Sequence, residues 1–108
     1  MMQQSNARQC EKIIVQVDSD LEDIIPIFLE NRHKDIKCML ECLKQSDYES
    51  IRILGHSMKG AGGGYGFDTI TDIGSSLEQA AKDKNFEKIR KLVDELTTYL
   101  ARAEGVYE

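Results

Sequence analysis

Residues 46–66 read SDYESIRILGHSMKGAGGGYG, and they predict an amphipathic helix with marked ends. Ser46 and Glu49 have the spacing of a capping box, which places the start of the helix at this point. Gly66 is suited to end it, because glycine adopts the left-handed conformation that closes many helices. The apolar residues between these ends recur at threes and fours and share one face: Ile51, Leu54, Met58, Ala61 and Tyr65. We therefore expect a helix to about residue 64 that is buried along one side.

Three other segments show the same helical periodicity. Helices are predicted over residues 20–44, 69–83 and 86–103. Pro26 falls near the start of the first of them, where proline either marks the first turn or kinks a helix. Asp68 and Asn85 are suited to cap the other two. Because the connections are short, neighbouring helices should run antiparallel, and the sequence predicts an all-α, up-down four-helix bundle.

The N-terminal residues stand apart from this helical pattern. Residues 13–17, IIVQV, are mostly β-branched and could be extended. Since no second strand is evident to pair with them, we expect them to pack along a helix face rather than to form a sheet. We accordingly divide the chain into a short N-terminal extension that packs on the bundle, residues 1–17, and the bundle itself, residues 18–108.

Length, charge and hydropathy narrow the class of protein. The 108 residues suit one domain, and an apolar content of 41% is enough for a core. A net charge of −5 argues against binding to nucleic acid or to an anionic membrane. No apolar run approaches the roughly 20 residues of a membrane span, and the N-terminus lacks the apolar stretch of a signal peptide. We expect a cytoplasmic protein, and a monomer, since a complete bundle needs no second chain.

The cysteines do not indicate a disulfide framework. Cys10, Cys38 and Cys42 are odd in number and have no repeat spacing. Cys38 and Cys42 fall beside His33 on the first predicted helix, but the spacing is not that of a known metal site, and no metal is expected. A thiol- or metal-dependent sensor built on Cys38, Cys42 and His33 is an alternative. Metal analysis of the purified protein would exclude it by finding no stoichiometric zinc.

His56 is the candidate reactive residue. On a helical wheel it lies about 160° from both Leu54 and Met58, so it should point away from the bundle. Five residues share its face within about 60°, with Ile53 at the edge: Glu49, Arg52, Lys59, Gly60 and Gly63. A neutral imidazole nitrogen is nucleophilic near pH 7, and an ammonium group one turn away can balance the charge of a phosphoryl group in transfer.

The glycines after Lys59 need a separate explanation. Glycine in a helix costs about 1 kcal/mol relative to alanine, so Gly60 and Gly62–Gly64 make this segment the poorest helix former in the chain. We interpret the bare backbone beside His56 as room for a second protein surface. Nucleotide binding does not fit, because the lysine of KGAGGGYG precedes the glycines and Tyr65 stands where a dinucleotide fingerprint has its third glycine.

The order of these residues resembles a known signature. His56, two residues, Lys59-Gly60, then five residues and Gly66 is similar to the signature of histidine-containing phosphotransfer (HPt) domains. The downstream Leu77-Glu78-Gln79-Ala80 also resembles the third bundle helix of that family. The resemblance covers roughly residues 18–103.

The resemblance implies a function and partners. His56 would be the phosphoacceptor at its outer ring nitrogen, Lys59 would support the phosphoryl group, and Gly60 and Gly63 would clear its approach. Receiver domains of response regulators, or a hybrid sensor histidine kinase, would dock against this helix, with Arg52 and Ile53 as further docking candidates. The acceptor aspartate and its magnesium would belong to the receiver, so no cofactor is expected here.

Two readings of the function stay open at this point. Without ATP-binding boxes, the chain should carry phosphate as phosphohistidine and pass it on, rather than act as an ATP-using kinase. The alternative is an interaction module that docks receivers, or another helix-binding partner, without chemistry.

Overall fold

Four helices form the body of the protein. The structure is a computed structural model, and it describes residues 13–107. The helices are α1 (Ile25–Lys44), α2 (Tyr48–Gly64), α3 (Asp68–Lys82) and α4 (Phe86–Arg102). Each helix packs against the next one along the chain, and α1 also packs against α4. The predicted all-α four-helix bundle is therefore confirmed.

The core lies between the four helices. The side chains that are fully withdrawn from solvent come from every helix: Ile25, Met39, Ile51, Met58, Ile70, Leu77, Ile89 and Leu96. Burial of each such side chain stabilises the fold by roughly 1.5–3 kcal/mol. Within residues 13–107, none of the helices has the length and apolar content needed to cross a bilayer.

The start of α2 differs from the predicted capping box. Asp47 is the N-cap, and its carboxylate accepts hydrogen bonds from Ser50 N at 3.1 Å and Ser50 Oγ at 2.7 Å. Ser46 has φ +56° and belongs to the turn that ends α1, so the cap position falls to the next residue. Glu49 is thereby released from capping and pairs with Arg52 instead.

The other helix ends match the sequence in part. α1 begins at Ile25 after a short 3₁₀ turn, Ser19–Leu21, rather than at residue 20, and Pro26 lies in its first turn. Asp68 begins α3 but does not cap it, because Phe67 occupies the cap position. Asn85 caps α4 as predicted, accepting a backbone hydrogen bond at 3.1 Å. Gly66, with φ +88°, closes α2 as predicted.

The expectation that residues 13–17 would form no sheet was wrong. They form strand β1 (Ile13–Val17), which pairs in parallel with β2 (Ala103–Tyr107), with Ile13 opposite Ala103. The partner strand was not evident in the sequence because β2 follows directly on α4, and the crossover that connects the parallel pair is the whole bundle. Val17 is 3% exposed and joins the core. The proposed extension over residues 1–17 stays a prediction, since residues 1–12 lie outside the described part of the chain.

Helices α2 and α3 pack with their backbones in contact. A Cβ atom added to Gly55 would lie 2.8 Å from Gly74 O, and one added to Gly74 would lie 2.7 Å from Lys59 N. A Cβ atom at Gly62 would lie 2.6 Å from Thr71 Oγ1. Contacts this short leave no room for a side chain at these positions. The glycines therefore allow α3 to lie directly beside the helix that carries His56.

Candidate functional site

His56 projects from the middle of α2 into solvent. Its side chain is 65% exposed, whereas Met58, two residues further on, is fully buried. The orientation predicted from the helical wheel is therefore confirmed. The ring is available to a partner that approaches from outside the bundle.

Glu78, on α3, holds the ring of His56 from one side. Nδ1 of His56 lies 3.2 Å from Oε2 of Glu78, whose side chain is 12% exposed. The other carboxylate oxygen, Oε1, lies 3.3 Å from Nζ of Lys59. Nζ of Lys82, one turn further along α3, lies 4.0 Å from Oε2. One carboxylate thus joins the candidate nucleophile and two cations.

The charge of Glu78 fixes the tautomer of His56. Burial by itself would raise the pKa of Glu78, but hydrogen bonds from Lys59 and His56 outweigh burial and hold that pKa below its ordinary value. The group is therefore an ionised carboxylate at neutral pH and can only accept a hydrogen bond. Nδ1 of a neutral His56 ring must then carry the proton, and Nε2, across the ring, carries the lone pair.

Glu78 and Lys82 were not among the predicted site residues. A signal was present, because Glu78 directly follows the buried Leu77 and comes one turn after Gly74, where α3 touches α2. A carboxylate at the border of a buried stripe faces the neighbouring helix. Which residue of that helix it meets depends on how the two helices pack, and this the sequence pattern did not give.

Arg52 and Ile53, two of the predicted docking residues, differ in their surroundings. The guanidinium of Arg52, one turn before His56, pairs with both carboxylate oxygens of Glu49. Its hydrogen bond is the main cause of the lowered pKa of Glu49. Ile53 is 53% exposed and leaves an apolar surface beside the histidine.

The glycine run of α2 has two sides. A Cβ atom added to Gly60 or Gly64 would meet nothing within 4 Å, and one added to Gly63 would have Thr71 Oγ1 at 3.5 Å as its nearest neighbour. Gly62, in contrast, is packed against α3. The outward side of α2 after His56 is therefore bare backbone that faces open space, as the sequence predicted for Gly60 and Gly63.

A groove of about 560 Å³ lies at the start of α2, and His56 is not among the residues that line it. It is formed by the α1–α2 turn, the first turns of α2 and the end of α3, and its walls include Arg52 and Lys82. His56 stands outside it on the exposed side of the bundle. The position of His56 is accessible to another protein. Small ligands, in contrast, usually bind in concave pockets that enclose them.

Cys38, Cys42 and His33 are the residues on which the alternative thiol or metal site would depend. No three or more His, Cys, Asp and Glu side chains in this range are grouped so that they could hold a metal ion. Cys38 is an exposed free thiol and Cys42 a half-buried one. Burial is the main cause of the raised pKa of Cys42, and it makes that thiol less reactive. Cys10 lies outside the described residues.

Comparison with models of protein families gives a match. A family model described as "Hpt domain" matches residues 8–105, which is nearly the whole chain. The matched range contains all four helices and each residue of the site described above. No curated protein and no solved structure matches this chain significantly.

Proposed function

The chain belongs to the Hpt domain family of phosphorelay histidine phosphotransfer modules, and we propose that His56 is its phosphoacceptor. His56 would take a phosphoryl group from an aspartyl phosphate on a receiver domain and return it to such an aspartate. The contact between His56 Nδ1 and Glu78, at 3.2 Å, carries the proposal. It holds the proton on Nδ1 and leaves Nε2 as an exposed nucleophile.

The proposed transfer is an in-line displacement at phosphorus. The Nε2 lone pair forms the N–P bond while the P–O bond to the aspartyl group breaks, and the aspartate leaves as a carboxylate. The ring becomes positively charged, and the adjacent Glu78 carboxylate stabilises that charge through Nδ1–H. In the reverse direction an aspartate carboxylate attacks the phosphorus, the N–P bond breaks, and Nε2 recovers its lone pair.

Lys59 suits the support of the phosphoryl group. Its side chain is 42% exposed, and its ammonium already lies at the site because it pairs with Glu78. A flexible four-carbon side chain can turn from Glu78 towards the phosphoryl oxygens, where negative charge is concentrated. Lys82, at 4.0 Å, stays beside the Glu78 carboxylate when Lys59 turns away.

The outward side of α2 suits docking of a receiver domain. Gly60 and Gly64 face open space, and Gly63 is nearly as open, so a partner backbone can approach the phosphoacceptor closely. Ile53, half exposed on the other side of His56, offers an apolar contact. Arg52, which is paired with Glu49, lies at the edge of this surface and is a polar docking residue of the proposal.

Transfer of radiolabelled phosphate tests the proposal. The protein is mixed with a panel of phosphorylated receiver domains from the same organism, beside the variants His56→Gln and His33→Gln. These are the two histidines of the chain, and His33 is an exposed residue of α1, so it is a matched control. Label should reach the wild type and His33→Gln but not His56→Gln, and it should be labile in acid and stable in base.

The same experiment separates this function from docking alone. Label that still reached His56→Gln would overturn the assignment of the phosphoacceptor. Receivers that bound the folded protein without any transfer of label would favour an interaction module.

A further inference from the structure

Lys59 lies at the point where α2 becomes a weak helix. Three of the next four residues after Gly60 are glycines, and each helical glycine costs about 1 kcal/mol relative to alanine. Gly60 and Gly64 also face open space and gain no packing. The backbone that carries Lys59 therefore needs support from outside α2 if the side chain is to extend from a fixed point.

Thr71, on α3, supplies a hydrogen bond at this point. Its hydroxyl, Oγ1, donates to the backbone carbonyl of Lys59 at 3.2 Å, in a partly buried position. The approach depends on Gly62, where a Cβ atom would lie 2.6 Å from the same hydroxyl oxygen. The inward-facing glycine of the run thus makes room for the bond.

Three residues on one face of α3 engage Lys59. Thr71 bonds to its carbonyl oxygen, Gly74 lies against its backbone nitrogen and Cα, and Glu78 pairs with its ammonium. The spacings of three and four residues place all three along the same side of the helix. Both the backbone and the side chain of Lys59 are therefore held by α3.

We propose that Thr71 is a positioning residue for phosphotransfer, which acts by holding the backbone of Lys59 so that its ammonium reaches the phosphoryl group on His56. The inference rests on the function proposed above and goes beyond it, because Thr71 touches neither His56 nor the transferred group. On this proposal the glycine run has two roles. Gly62 makes room for the Thr71 hydroxyl, and Gly60 and Gly64 leave the outer surface of α2 open.

The test removes the hydroxyl and measures single-turnover transfer from a phosphorylated receiver domain. Thr71→Val keeps the shape of the side chain and should slow transfer by about threefold to tenfold, the range expected for one hydrogen bond. Thr71→Ser keeps the hydroxyl and should restore most of the rate. Thr97→Val is the matched control, because Thr97 Oγ1 donates to Val93 O at 2.8 Å on α4, away from the site.

A double-mutant cycle shows whether Thr71 acts through Lys59. In a Lys59→Ala background, Thr71→Val should cause no further loss of rate, since there is no ammonium left to position. If Thr71→Val unfolds the bundle, Thr71→Ala replaces it in the double-mutant cycle. Thr71→Ala removes the same hydrogen bond without placing a methyl group against Gly62.

Each outcome decides a different point. A wild-type rate for Thr71→Val, or an equal loss in the Lys59→Ala background, would overturn the role of Thr71 and leave the proposed function intact. Absence of label on the wild type itself would overturn the proposed function, and the role of Thr71 with it.

Discussion

Nδ1 of His56 lies 3.2 Å from Oε2 of Glu78, a residue 22 positions later in the chain. The pair crosses from α2 to α3 at the level where the two backbones touch through Gly55 and Gly74. This contact converts an exposed histidine into one with a defined tautomer. Its partner carboxylate also holds Lys59, so the nucleophile and the cation are positioned by one group.

Glu78→Gln should slow phosphotransfer without unfolding the bundle. Glutamine can still accept from Nδ1, but a hydrogen bond to a neutral amide is weaker than one to a carboxylate, and the positive charge on the ring is no longer balanced. We expect the single-turnover rate to fall by about fivefold to tenfold. Glu95→Gln, an exposed site on α4, is the matched control. Equal rates for the two variants would remove Glu78 from the mechanism.

Glu78 should also contribute to the acid sensitivity of the fold. Its pKa is lowered in the folded state from an ordinary value of 4.5, so its contribution is present above that value and is lost as the pH falls through the folded pKa. In Glu78→Gln, the free energy of unfolding in urea should therefore fall less steeply below about pH 4.5. The pKa values of Asp47 and Glu49 are also lowered, so the free energy of unfolding should still depend on pH in both the wild type and Glu78→Gln. Identical slopes would contradict the prediction.

Alanine at two glycines of α2 should have opposite effects on stability. Gly60→Ala places a methyl group in open space and should raise the free energy of unfolding by up to about 1 kcal/mol, through better helix propensity. Gly62→Ala places one against Thr71 and the backbone of Phe67, so it should destabilise the protein. Urea unfolding followed by circular dichroism measures both. Equal effects would mean that α3 does not pack as closely as described.

A larger residue at Gly60 tests the open surface itself. Gly60→Leu should leave the bundle helical, because nothing lies near the new side chain, and should reduce transfer by blocking the approach of the receiver. We expect the transfer rate to fall by at least about tenfold, because a misplacement on the order of 1 Å at a reacting centre has a large effect on rate. An unchanged transfer rate, with helicity confirmed, would place the docking surface elsewhere.

Glycine should stabilise two turns. Ser46 and Lys84 have φ of +56° and +53°, a left-handed conformation that costs residues with a Cβ atom roughly 1–2 kcal/mol. Ser46→Gly and Lys84→Gly should each raise the melting temperature, because glycine adopts this conformation without strain. Glycine loses more chain entropy on folding than other residues, and this loss offsets part of the gain. Ser57→Gly, at an exposed position inside α2, should lower it and serves as the control.

The features that depend on local pattern were predictable from the residues alone. Apolar residues at threes and fours gave the four helices, and the same periodicity turned His56 outward because Met58 had to be buried. Gly66 and Asn85 were identified at helix ends because their roles depend on the conformation of a few neighbouring residues. The signature around His56 indicated the family, since its residues lie within one helix and the turn that follows.

Contacts between segments that are distant in the sequence became evident only in the folded structure. The β1–β2 pair joins residues at opposite ends of the described chain, and no local pattern in IIVQV identifies Ala103–Tyr107 as its partner. The capping of α2 passed from Ser46 to Asp47 because the preceding helix ends in a left-handed residue. The contact of Glu78 with His56 depends on how closely α3 approaches α2. That distance is set by backbone packing at Gly55, Gly62 and Gly74, and packing is a property of both helices together.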